Sequence, residues 1–138
     1  MKMNVHLNFN GNCKEAFALY AKVFGAEKPF MMTYNQAPQG APVPPDWGDK
    51  VMHTAIPLAA GQLMGCDAPA AQSAPMAGFQ VCVETKDQAE VQRIYDALKD
   101  GGKVTMPLQK TFWSPLFGMC TDKFGVNWMV SVPGEGQA

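Results

Sequence analysis

GFQVCVETKDQAEVQRIYDALKDGGKVTMPLQKTFWSPLFGMCTDKFGVNWMVSV, residues 78–132, reads as one strand, one helix and three further strands. Phe79, Val81 and Val83 alternate with Gln80, Cys82 and Glu84, the period of a strand covered on one side. Asp87 stands where a helix N-cap belongs, and Glu90 three residues on completes a capping box. Val91, Ile94, Tyr95 and Leu98 then recur at helical spacing until Gly101-Gly102 stops the helix. KVTMPLQKTFW (103–113), SPLFGMCTD (114–122) and VNWMVSV (126–132) supply the strands that follow. The last puts Val126, Trp128, Val130 and Val132 on one face and Asn127, Met129 and Ser131 on the other.

The first half repeats that order. From Asn4 to Asn10, Val5, Leu7 and Phe9 alternate with His6, Asn8 and Asn10. NGN at 10–12 is a turn, with Asn12 as the expected N-cap and Glu15 three residues later. Ala16, Phe17, Tyr20, Val23 and Phe24 form the helical stripe and Gly25 ends it. Lys28–Tyr34 reads as a strand, and Lys50–Leu58 with Gln62–Asp67 as a hairpin turning at Gly61. NQAPQGAPVPPDWGD (35–49) is a Pro/Gly-dense loop, either a lid carrying Trp47 or an irregular excursion. The halves align with Tyr20 on Tyr95 at an offset of 75 and His6 on Gln80 at 74, a difference of one turn residue. The reading is an α+β protein of two βαβββ modules whose curled mixed sheets surround a shared cavity. One domain covers 1–138: module one about 3–67, a linker at 68–77, and module two about 78–133.

Composition narrows the partners. The 138 residues are 47% hydrophobic, ample for a core, and 11 Lys+Arg against 12 Asp+Glu leave a formal charge of −1. That balance offers no basic stripe for phosphates, so nucleic acid is not an expected partner. No apolar run reaches spanning length and MKMNVHLN lacks a signal-peptide core, so no membrane is expected and the cytoplasm is the expected compartment. Cysteines at 13, 66, 82 and 120 match no zinc pattern and read as buried free thiols.

LNFNGNCKEAFALYAKVFGAE, MTYNQAP, DKVMHTAIPLAAGQLMGCDAP and GGKVTMPLQKTFWSPLFGMCTDKFGVNWMVSV together resemble the PhnB-like group. That group belongs to the glyoxalase / bleomycin-resistance / dioxygenase superfamily, the vicinal oxygen chelate proteins. The resemblance spans nearly the whole chain. It implies two βαβββ modules around a cavity, frequently completed across a homodimer. The group often carries a demethylubiquinone-methyltransferase label, but no glycine-rich nucleotide loop or methyl-donor segment is seen here. Superfamily chemistry implies a divalent metal held from the first and last strands of each module and acting as a Lewis acid. Carried over, the first-strand ligands are His6 and Gln80. The last-strand positions, acidic in the superfamily, fall near Met64 and on Met129. A thioether is a poor ligand for hard or borderline ions. No tightly bound cofactor is therefore expected, with a divalent metal as the alternative.

The expected ligand-binding set is His6, Asn8, His53, Met64, Gln80, Cys82, Trp113 and Met129. His6 is a ligand, a base or a polar wall residue; His53 shares a face with Ala55. Asn8 and Gln80 offer neutral hydrogen bonds. Met64, Met129 and Trp113 offer pliable apolar walls, with ordinary core or dimer interface as their other use. Asp67 and Glu84 read as solvated strand-end carboxylates, and Cys66 and Cys82 lack a neighbour that would activate a thiol. The expectation is a homodimer binding a small molecule without a tightly held metal. The alternative is a metal-dependent glyoxalase- or dioxygenase-type enzyme using His6 and Gln80 as partial ligands.

Overall fold

A computed structural model describes residues 1–136 other than Glu27 and Ser73. The chain divides into two compact units, Met1–Ala74 and Pro75–Ala138. Each holds one helix and one four-stranded mixed sheet.

Module one runs β1 (Val5–Phe9), α1 (Cys13–Val23), β2 (Phe30–Thr33), β3 (Val51–Leu58) and β4 (Gly61–Asp67), with sheet order β1-β4-β3-β2. β1 pairs parallel to β4, and the other pairs are antiparallel. Most of the helical stripe read from the sequence is buried: Ala16, Phe17, Tyr20 and Val23 form a core with Leu7, Phe9, Ile56 and Leu63 of the sheet, whereas Phe24 is the C-cap and half-buried. Phe17 meets Phe9 and Tyr20 edge-on at 6.2 and 5.5 Å between centroids. Burying each such side chain is worth about 1.5–3 kcal/mol. The helix lies close because β4 offers Gly65 beneath it, where a Cβ would stand 2.6 Å from the Phe17 ring.

The start of α1 differs from expectation. Asn12 makes no side-chain capping bond. The donors of that turn go instead to Asp67 at the end of β4: its Oδ1 accepts from the Gly11 and Cys13 amides at 2.8 and 3.0 Å. Its Oδ2 accepts from the Val51 amide at 2.9 Å. Asp67 is therefore not a solvated carboxylate; it is 1% exposed and joins the β1–α1 turn, β3 and β4. Buried donors of this kind need an acceptor, and a carboxylate satisfies several at once.

Module two runs β5 (Val81–Glu84), α2 (Gln88–Lys99), β6 (Lys103–Gln109), β7 (Phe117–Thr121) and β8 (Asn127–Ser131), ordered β5-β8-β7-β6. Here the helix start is as read: Asp87 accepts from the Ala89 and Glu90 amides. Val91, Ile94, Tyr95 and Leu98 are buried with Cys120, Trp128 and Val130. Asp122, 3% exposed, closes the β7–β8 turn through the Phe124 and Val126 amides and the Trp128 indole N–H at 2.8, 3.0 and 2.9 Å.

Four further expectations shift. Phe79 precedes β5 and is 42% exposed rather than packed. The strand expected over 103–113 ends at Gln109, after two register shifts around Met106. The chain then turns through Thr111 and Ser114, which bond each other's backbone, so the strand expected from Ser114 starts at Phe117. Cys13 and Cys120 are buried as expected, whereas Cys66 is half-buried and Cys82 exposed.

Candidate functional site

In each module the helix covers one face of the sheet, and the other face carries most of the residues singled out from the sequence. In module one, cross-strand register sets His6 opposite Met64, Met64 opposite Ala55, and Ala55 opposite Phe30. The neighbouring row sets Asn8 opposite Cys66, and His53 opposite Met32. The His6 and His53 rings stack with centroids 6.4 Å apart and 19° between planes, and Phe30 lies 6.1 Å beyond His53. Cys66 Sγ donates to Asn8 Oδ1 at 3.3 Å. Four expected residues, His6, Asn8, His53 and Met64, therefore share one face.

This face favours neutral groups. Burial lowers the His6 pKa below its usual 6.5 and the charge of nearby His53 lowers it further, while a hydrogen bond with Asn8 opposes them. Burial, then the Asp67 charge, raises the Cys66 thiol pKa. A neutral imidazole offers one donor and one acceptor, and Asn8 adds an amide. The face can thus hydrogen-bond a ligand from one edge while Met64 and Phe30 meet its apolar surface.

In module two, Gln80 sits one residue before β5, and its Nε2 donates to Met119 Sδ at 3.2 Å. Cys82 is opposite Met129 with Sγ 3.5 Å from Sδ. The Cys82 thiol is pushed up by burial and then by the Glu84 charge. Trp113 lies outside the strands, 39% exposed, edge-on to Phe112 and Phe117 at 4.7 and 5.3 Å.

The donor set does not fit a resident hard divalent ion. His6 faces the thioether of Met64, while Met129 is opposite Cys82 and not Gln80. The Gln80 amide nitrogen is already engaged with a sulfur. Among the described residues no three His, Cys, Asp or Glu side chains gather to hold a metal. Thioethers and a single amide are weak partners for such ions.

A cleft of about 670 Å³ that apolar periodicity does not reveal lies within module one, lined by Tyr34, Val43, Pro44, Pro45, Met52 and Pro69. The 35–49 loop that walls it is pinned: the Tyr34 amide donates to the Lys50 carbonyl and the Asn35 amide to the Gly48 carbonyl. Tyr34 Oη donates to the Asp67 carbonyl at 2.7 Å, and Trp47 packs edge-on against the Tyr34 ring at 6.3 Å. Its proline density signalled irregular backbone correctly but could not show which surface the prolines would line.

Two mixed four-stranded sheets, each with a helix on one face, are the architecture of the glyoxalase-type proteins. A glyoxalase/bleomycin resistance protein/dioxygenase family enzyme from Burkholderia phytofirmans PsJN shares the fold, at a TM-score of 0.66 and 10% identity over 94% of this chain and 96% of that one. The sequence pattern of the 3-demethylubiquinone-9 3-methyltransferase family matches residues 1–131, and the chain belongs to that PhnB-like family. Protein YjdN of Escherichia coli K12 is 33% identical, covering 96% of this chain and 95% of its own. The crystal structure of PA1353 from Pseudomonas aeruginosa is similar at a TM-score of 0.85 and 37% identity, covering 96% and 98%. A Bacillus cereus PhnB protein, titled a putative 3-demethylubiquinone-9 3-methyltransferase, shares the fold at 0.72 and 22% identity over 96% and 99%.

Proposed function

We propose that this PhnB-like protein binds a flat, largely apolar small molecule with hydrogen-bonding edges, and holds no resident divalent metal. The observation that carries this reading is the module-one face, where stacked His6 and His53 stand beside Asn8, Met64 and Phe30 with His6 biased to its neutral form. Gln80, Cys82 and Met129 offer a second surface of neutral and pliable groups in module two, and Trp113 adds an exposed ring beside Phe117. No reaction is assigned: a neutral, hydrogen-bonding and pliable wall suits capture of a ligand, and no nucleophile in it is activated. Four free cysteines suit a reducing compartment such as the cytoplasm.

The reading includes a homodimer. Val5, Phe30 and Leu58, on strands at or near the edges of the module-one sheet, are 37%, 58% and 41% exposed, apolar surface that a partner copy would cover. Light scattering should then return twice the 15.0 kDa chain mass, and a monomer at micromolar concentration would refute it.

The test of binding is a thermal-shift screen of small molecules alongside Mn, Fe, Co, Ni and Zn ions. A ligand that binds only the native state raises the melting temperature by mass action. The expected result is stabilisation by organic compounds that disappears in His6→Ala. A stoichiometric divalent ion whose binding His6→Ala abolishes would replace this reading with a metal-dependent enzyme of the glyoxalase or dioxygenase type.

A further inference from the structure

The module-two sheet carries a row of sulfur that the small-molecule reading does not require. On the face away from α2, register places Cys82 opposite Met129, Met129 opposite Met119, and Met119 opposite Met106, one sulfur from each of the four strands. The two register shifts in β6 bring this about. Gln109 pairs with Phe117, and Leu108 lies at the helix side, against Gly118 and near Tyr95. Without the shift between Met106 and Gln109, strict alternation would put Met106 on the same side as Leu108. Bulges of this kind re-aim a side chain.

From this geometry we infer that the row is a binding site for a soft monovalent cation, copper(I) or its redox-inert analogue silver(I). Thiolate and thioether sulfur select such ions over the hard or borderline divalents. Cys82 Sγ and Met129 Sδ are already 3.5 Å apart, a span that two metal–sulfur bonds of about 2.3 Å can bridge. Cross-strand neighbours on one face stand about 4.5–5.5 Å apart at Cβ, within reach of a flexible thioether, so Met119 can complete a three-sulfur site. Met106 lies next along the row. Binding is a ligand exchange without electron transfer: the Cys82 thiol proton leaves to solvent, its sulfur bonds the metal, and each thioether donates a lone pair. One thiolate and one monovalent cation give a neutral complex, which suits a site whose three methionines are half-buried although Cys82 itself is exposed. Gln80, donating to Met119 Sδ, would act as a positioning residue for that thioether.

The test is an anaerobic titration of the whole protein with copper(I) against a chromophoric chelator, and with silver(I) while following methionine methyl resonances by NMR. One equivalent should be withheld from the chelator, and the methyls of Met129 and Met119 should shift while that of Met64 stays put. Cys82→Ser and Met129→Leu should each weaken retention on the order of tenfold to hundredfold, at least what loss of an outer partner of a bound metal costs. Met→Leu nearly conserves volume, so this variant stays folded and isolates the loss of sulfur. Cys66→Ser should leave affinity unchanged. No retention by the wild-type protein, equal retention by Met129→Leu, or loss that follows Cys66→Ser would each overturn the inference. The small-molecule reading is unaffected by these outcomes, because it stands on His6 and its neighbours.

Discussion

The two modules repeat one order of elements but start their helices in opposite ways. α2 is capped by its own neighbour, Asp87, two and three residues before the amides it receives. α1 has a good capping residue in Asn12 and does not use it; its turn is held by Asp67, more than 50 residues away. The buried carboxylate of module two, Asp122, accepts from Phe124, Val126 and Trp128, all within the following six residues. Local bonds make module two's turns largely self-sufficient. Module one's first turn takes its acceptor from β4, which the same carboxylate ties to β3.

Removing the two carboxylates should expose that difference most strongly. Asp67→Ala leaves two buried amides and one half-buried amide without this acceptor and disconnects three segments, an expected loss of about 3–5 kcal/mol by urea unfolding. Asp122→Ala should cost about 2–4 kcal/mol, accompanied by a change in Trp128 fluorescence as the indole loses that acceptor. Equal losses, or a larger loss for Asp122→Ala, would break the contrast.

The helix starts give a smaller, sharper comparison. Asp87→Ala should lower stability by about 1 kcal/mol, the usual cost of a lost N-cap. Asn12→Ala should stay within about 0.5 kcal/mol, as a surface change away from any special feature does. A full capping cost at Asn12 would mean that its side chain caps α1 after all.

The smallest effect is expected in pH dependence. The folded-state pKa of His6 lies below the unfolded value, so the native state binds fewer protons between the two. Stability should therefore be complete above the unfolded pKa, near 6.5, and fall as the pH drops through the interval below it. His6→Gln should flatten that slope. An NMR titration placing His6 above 6.5 would reverse the sign.

Much of this architecture was readable in the residues. Both helical stripes, the alternation of β1 and β8 and the repeat itself follow from apolar periodicity, which buried partners enforce. Asp67 was misread because periodicity reports which face a residue occupies and not which distant amides lack an acceptor. Strand ends near Gln109 and Phe117 slipped because register shifts add residues without changing composition. The face with His6, Asn8, His53 and Met64 was accessible through alternation, once β1 and β3 were placed in one sheet. The Met106–Met119 pairing was not, since it depends on those same shifts.

In each module the first strand lies parallel beside the last, β1 with β4 and β5 with β8. During synthesis this sets a schedule. β1 leaves the ribosome with no partner beside it and must wait for more than fifty further residues before its edge is met. Contacts so distant in sequence form late, because loop closure must precede them. A released chain ending at Ala74 would carry the whole of module one, including the acceptor for its helix. One ending just before Asp67 would lack the clasp between that sheet and its helix.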